Sequence, residues 1–227
     1  MDFLEPPAAI AVLTSGGLDS AILLGETLRH HAAVQPLYVR QGLLWEGAEL
    51  DHLGRFLDAI RRPALLPMVV LDLPVADVYG DHWSLHGRGA PGAETPDEAV
   101  FLPGRNVLLL AKSLLWCHLR GITTLALATL RDNPFPDATP EFFSLYTEMI
   151  NRAVGGAVRV RRPFEAMSKV DAMRLGRNLP LELTFSCLCP VAGNHCGSCN
   201  KCAERRRAFA DAGLDDPTAY AGKSAEC

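Results

Sequence analysis

An apolar run that ends in a glycine-rich turn and hands over to helical spacing most restricts how this chain can fold. Ile10-Ala11-Val12-Leu13 is the run and Ser15-Gly16-Gly17-Leu18-Asp19-Ser20 the turn. Ala21, Leu24 and Leu28 then carry helical spacing from Ser20 to His30. The alternation continues. Val34 to Val39 predicts a second strand, Glu46 to Ile60 an amphipathic helix, and Leu65 to Leu71 a third, buried strand. Strands separated by helices need crossover connections, so the expected fold is α/β with a doubly wound parallel sheet.

From Pro74 to Gly104 the pattern breaks, and a glycine- and proline-rich segment of that length inside a compact domain is usually functional or mobile. Regularity returns with a helix from Asn106 to Leu119, a strand from Thr124 to Ala128, and a proline-rich loop from Asp132 to Asp137. A helix from Pro140 to Ala153 and a strand from Val158 to Val160 follow. Ser168 reads as the N-cap of a helix over Lys169 to Asn178, with Asp171 three residues on and Pro180 as the stop. A length of 227 residues suits one α/β core with a small appendage. The expected division is a nucleotide-binding domain over residues 1–180 and a metal-binding extension over 181–227.

That extension carries Cys187-x8-Cys196-x2-Cys199-x2-Cys202. Two-residue gaps let successive thiolates reach one ion, and four of them close the tetrahedron of a structural Zn2+ site. Gly197 supplies the freedom such a knuckle needs. The competing reading is a set of buried or disulfide-paired cysteines. Cys189 falls off the pattern and reads as a bystander. His195 is left with support of the knuckle from outside the tetrahedron or a substrate contact. Thiols at metal spacing fit a reducing compartment. The start, Met1 to Glu5, is acidic where a secretory signal is basic, and the run from Ala8 to Leu13 is too short to span a membrane. The expected location is cytoplasmic. A net charge of -4 exerts no general pull on nucleic acid, and the clusters Arg159, Arg161, Arg162 and Arg205, Arg206, Arg207 read as solvated faces or anion contacts.

The glycine-rich turn sits where a strand meets a helix, so backbone N–H groups and the helix dipole converge on a space the size of an anion. Two glycines remove the Cβ atoms that would block approach, and Ser15 and Ser20 add hydroxyls. Phosphate is the natural occupant. The turn lacks the Gly-Lys-Ser/Thr ending of a Walker loop and the third glycine of a dinucleotide fingerprint. Its six residues resemble the S-G-G-x-D-S pyrophosphate loop of the ATP pyrophosphatases. Taken with Pro103-Gly104-Arg105-Asn106, Ser168-Lys169 and the stretch from Thr184 to Arg206, they make the chain resemble the 7-cyano-7-deazaguanine synthase (QueC) family over nearly its whole length, as a divergent member.

The resemblance implies a carbon–nitrogen ligase that uses ATP with Mg2+ to adenylate the carboxylate of 7-carboxy-7-deazaguanine. Ammonia then gives the amide, which is activated and dehydrated to the nitrile. ATP would lie on Ser15, Gly16, Gly17, Leu18, Asp19 and Ser20, with Asp19 the carboxylate near the magnesium. Arg105 and Lys169 are the candidate cations for the departing pyrophosphate, against the plainer reading of a helix-start arginine and lysine. A cation in a first helical turn opposes the dipole, so Lys169 asks for an anionic partner. Arg105, Asp132, Asp137 and His195 are the residues expected at the substrate. A homodimer is also implied.

Two segments depart from the family. Its Tyr-Pro-Asp-Cys-Arg is Phe135-Pro136-Asp137-Ala138-Thr139 here, and its aromatic-glycine-glutamine-basic run is replaced by Arg40 to Glu46. A divergent member could stop at the amide or accept another amine, such as a protein N-terminus. Two other readings are weaker. A zinc-knuckle module for nucleic acid leaves the pyrophosphate loop without a role. Sulfur transfer to tRNA lacks an identifiable RNA-binding domain, and Cys117, the one thiol in the α/β part, reads as core.

Overall fold

A computed structural model describes residues 9–221. Strands β1 (Ile10–Leu13), β2 (Val34–Arg40), β3 (Val69–Asp72), β4 (Thr124–Ala126) and β5 (Arg159–Arg161) form one sheet in the order β3-β2-β1-β4-β5, with every pairing parallel. The helices are α1 (Leu18–His30), α2 (Glu46–Ala59), the single turns α3 (Ala76–Tyr79) and α4 (Trp83–His86), α5 (Arg105–His118), α6 (Pro140–Val154), α7 (Lys169–Leu175) and α8 (Asn200–Ala212).

Successive residues of a strand face opposite ways, and β1 uses both faces. Ile10 and Val12 pack with Leu24, Phe56, Met173 and Phe209 from α1, α2, α7 and α8, whereas Ala11 packs with Leu110, Leu114 and Phe143 from α5 and α6. Helices therefore cover both sides, as the alternation in the sequence predicts. Strand order reverses at β1, which leaves a crevice beyond the carboxyl ends of β1 and β4, where open parallel sheets take their ligands.

Three elements are at least two residues shorter than expected, among them β4, which ends at Ala126 rather than Ala128. The third strand begins only at Val69, because Pro67 cannot donate to a ladder; upstream, Leu65 makes a single bridge to Val34. It is also an edge strand, its residues alternating between half-buried and exposed rather than wholly buried. Helix α7 stops at Leu175 instead of Asn178. A Cβ at Gly176 would fall 2.4 Å from Ile22 Cγ1, so the end of α7 is set by close approach to α1.

The segment from Pro74 to Gly104 is tied to the cysteine-rich tail. Ala93 N donates to Ser198 O (3.0 Å), Asn200 N to Pro91 O (2.9 Å), and Asn200 Nδ2 to Thr95 O (2.8 Å). The tail in turn grips the first loop through Phe185 N to Gly16 O (2.8 Å), and Ala208, Phe209 and Ala212 share the core of α1. Among the described residues no helix is long and apolar enough to cross a membrane, and Met1 to Glu5 lie outside them.

Candidate active site

The loop after β1 is shaped by Gly16, whose φ is +72° and whose missing Cβ would stand 3.0 Å from Glu49 Cγ. Only glycine meets both conditions without strain. Ser20 Oγ accepts from Ser15 N (3.2 Å) and donates to Gly17 O (3.1 Å), closing the turn on itself. Gly17 caps α1 without a side-chain acceptor, so N–H groups of the first turn point outward unclaimed. Ser15, Gly17, Leu18, Asp19 and Ser20 line a cleft of about 340 Å³, and Gly16 lies behind them.

Lys169 enters this cleft from the start of α7, where Ser168 and Asp171 form a reciprocal capping box. Its Nζ lies 2.8 Å from Asp19 Oδ2 and 3.1 Å from Glu204 Oε1. These carboxylates are the anionic partners its position requires. Burial pulls the ammonium's pKa down, but Asp19 and Glu204 outweigh it and the net shift is upward. Burial alone would raise the carboxyl of Glu204, yet Lys169 and Lys201 hold it down at about 2. Lys201 Nζ sits 2.5 Å from the other oxygen of Glu204.

Arg105, at the start of α5, lines the cleft with its Nε 3.4 Å from Gln41 Oε1. Asp137 helps fix that helix start by accepting from Asn106 N (2.9 Å), and it too lines the cleft. Asp132 does not; it lines an adjoining cavity of about 160 Å³ that also touches Asp19, Lys169, Lys201 and Glu204, and it pairs with Arg131 (3.2 Å).

His195 is not at the cleft. Its ring is 1% exposed, packed against Phe185, His52 and Tyr220, and its Nε2 accepts from Ser186 N (3.1 Å). Burial, with Arg205 and His52 nearby, lowers its pKa to about 3, which keeps the ring a neutral acceptor. The structure thus places His195 beside the knuckle, against Phe185, rather than among the residues that line the cleft. For Arg205 the solvated-face reading is corrected: it is also 1% exposed, donates to Leu181 O (2.8 Å), Thr184 Oγ1 (2.8 Å), Ser186 Oγ (3.3 Å) and Thr218 Oγ1 (2.6 Å), and, unlike His195, is among the residues that line the cleft. Arg206 lies over the Tyr220 ring (4.0 Å) and Arg207 faces Asp97 (3.6 Å).

Sequence reading passed over Glu49. It lies on the buried face of α2 under the loop, takes a 2.5 Å hydrogen bond from Tyr38 Oη, and lines the cleft. Burial raises its pKa to about 7 against the opposing pull of Arg105 and Tyr38, so it can exchange a proton near neutrality. A carboxylate on the apolar stripe with Leu53 and Phe56 was the available signal. Part of the cleft's lining is aromatic: Trp45 stacks on Trp83 (5.9 Å between centroids) and Phe101 on Phe135 (5.1 Å). Flat faces of that kind suit a planar heterocycle.

Behind the loop, Cys187, Cys196, Cys199 and Cys202 are all buried, with their sulfurs within 4.8 Å of one another. Two sulfur pairs stand 3.9 Å apart, close to the edge of about 3.8 Å in a tetrahedron with 2.3 Å zinc–sulfur bonds. Backbone N–H groups of Leu188, Cys196, Gly197, Ser198 and Cys199 point at these sulfurs at 3.2–3.4 Å, as thiolates require. Gly197 has a φ of +82°. The four residues therefore fit Zn2+, which when bound would fix the knuckle and its Lys201 relative to the loop. Phe185, Ser186, Cys187 and Leu188 form one wall of the cleft.

Residues 9–213 match the family described as queuosine biosynthesis protein QueC. This chain belongs to the QueC family. It is 32% identical over 222 residues to a 7-cyano-7-deazaguanine synthase of Xanthomonas campestris pv. campestris, covering 92% of this chain and 96% of that protein. A 7-cyano-7-deazaguanine synthase of Solidesulfovibrio magneticus is 30% identical, covering 95% and 97%. Among solved structures, an ATP-bound 4-thiouridine synthetase–RNA complex superposes with a TM-score of 0.50 at 12% identity, over 78% of this chain and 42% of that one. That likeness concerns the fold alone. Within this QueC chain, the two divergent segments reach the cleft through Trp45, Phe135 and Asp137. Arg40 turns away to pair with Asp72 (2.6 Å) at the sheet edge, and Glu46 folds back to accept from Gln41 N and Gly42 N at 2.6 Å each.

Proposed function

We propose that this QueC-family chain is an ATP-dependent ligase that converts 7-carboxy-7-deazaguanine to 7-cyano-7-deazaguanine. The observation that carries the reading is a single cleft lined both by a pyrophosphate-type loop with cations and by stacked aromatic rings. A carboxylate is a poor electrophile until its oxygen becomes a leaving group. In the reading, that oxygen attacks the α-phosphorus of ATP while the bond to pyrophosphate breaks. Loop N–H groups, Lys169 and Arg105 neutralise the departing charge. Ammonia then displaces AMP from the acyl carbon, and a second ATP adenylates the amide oxygen with release of pyrophosphate, so that loss of that oxygen as AMP and of the two N–H protons yields the nitrile. Mg2+ would ride on the phosphates with Asp19 as the nearby protein carboxylate. The zinc is structural in this reading.

A second product class is favoured by one feature, the absence of a cation and a thiol at Ala138 and Thr139. There the adenylate would stop at the amide or pass to another amine, such as a protein N-terminus. Incubation with the acid, ATP and ammonia separates the two: nitrile detected by mass spectrometry supports the first, and AMP release only with another amine supports the second. AMP release with neither sinks the ligase reading. A nucleic-acid module has less support, because Arg205, Arg206 and Arg207 are engaged within the protein. The free thiols of the tetrad suit the cytoplasm. The exposed apolar side chains Leu119, Leu145 and Met149 on and beside α5 and α6 suit a homodimer, which sedimentation would test.

A further inference from the structure

We infer that Lys201, carried by the metal-binding tail, is a second phosphate-binding cation of the ATP cleft. The inference rests on the ATP reading above and adds a residue from a different part of the chain. Lys201 stands between Cys199 and Cys202, so a metal held by those thiols fixes its backbone on both sides. Its side chain lines both the main cleft and the adjoining cavity, next to Asp19 and Lys169.

Glu204 shows how the two lysines are spaced. One of its oxygens lies 3.1 Å from Lys169 Nζ and the other 2.5 Å from Lys201 Nζ, so both ammoniums share one small oxyanion. Phosphate presents oxygens of the same kind, and lysine is a mobile point charge that can turn from one oxyanion to another. Without nucleotide, the line Asp19, Lys169, Glu204, Lys201 alternates in sign and is internally neutral. A triphosphate brings several negative charges to the mouth of the loop. Lys169 alone cannot balance them while Asp19 and Glu204 remain beside it, and Lys201 is the cation the fold places within the same cluster. Arg105 instead bonds Gln41 and is not among the ion pairs of this cluster. The tail thus supplies a charge to the nucleotide site as well as a wall.

Titration calorimetry on the zinc-loaded, full-length protein tests this, with MgATP and separately with inorganic pyrophosphate as the injected ligand. Lys201→Met keeps the aliphatic stem and removes the charge, and Lys201→Arg keeps the charge. Loss of one charge-assisted contact predicts about 10- to 100-fold weaker binding of both ligands to Lys201→Met, with Lys201→Arg within a few-fold of wild type. Zinc content and melting temperature of both variants are measured alongside, and both are expected to match wild type. Undiminished pyrophosphate binding by Lys201→Met overturns the inference, and so does an equal loss in Lys201→Arg. So does a loss confined to preparations that have shed zinc. If wild type itself binds neither ligand, the ATP reading fails first and takes the inference with it.

Discussion

At Glu49 a carboxyl group is held between the pyrophosphate-type loop, Tyr38 and Arg105, with Glu46 one turn away. Its pKa rises from 4.5 to about 7, so between those values the folded chain binds a proton that the unfolded chain releases. The corresponding stability is fully present below about pH 4.5 and is lost as pH climbs through 7. Glu49→Gln, which stays neutral, should match wild type at pH 5 and be the more stable protein at pH 8, by on the order of 2–3 kcal/mol at most. Thermal melts of the two proteins at both pH values check this; a gap that stays constant with pH would mean Glu49 is ionised throughout. Gly16 is a residue-scale constraint of another sort. Gly16→Ala must tolerate φ +72° and push on Glu49, so it should lower both the melting temperature and ATP-dependent pyrophosphate exchange, whereas Gly47→Ala, with open space around its Cα, should change neither appreciably.

Helix α7 brings sequence and site closest together at the scale of elements, because its capping box orients the turn that carries Lys169. Ser168→Ala should cost about 1 kcal/mol, seen as a drop of roughly 2–4 °C in melting temperature, and should raise the KM for ATP more than that for the acid. An unchanged KM for ATP would separate the cap from the placement of Lys169. That cap was legible because it is local: Ser168 and Asp171 are three residues apart. The strand–loop–helix start and the four cysteines were legible for the same reason, since their spacing contains their geometry. The end of α7 was not, because it depends on Gly176 meeting Ile22, a contact across the fold. Lys169 signalled a missing anion, but its identity as Asp19 and Glu204 comes from three elements meeting at the sheet's carboxyl edge. The burial of His195 and Arg205 was not legible, because a polar residue beside a knuckle carries no local sign of the elements that close over it.

Taken as a whole, the molecule packs the described part of its tail into the core that covers the sheet. Ala208, Phe209 and Ala212 sit in one apolar cluster with Leu24, Val12 and Met173, Arg205 ties α8 to Leu181 and Thr184, and Phe185 closes on Gly16. The knuckle also holds the segment from Pro91 to Thr95. Removing the metal should therefore loosen more than the four cysteines. Without a cation the four sulfurs within 4.8 Å of one another must take up protons or repel, and the hydrogen bonds to Pro91, Ala93 and Thr95 depend on the backbone of Ser198 and on the backbone and side-chain amides of Asn200 inside that knuckle. Chelation should increase hydrogen exchange at residues 91–95 and 185–202 together, while amides of β1 and β2 exchange at rates near those of the metal-loaded protein. Refilling with Zn2+ should restore protection to both segments in parallel. Exposure of the knuckle alone, with residues 91–95 still protected, would show that the long segment stands without the tail.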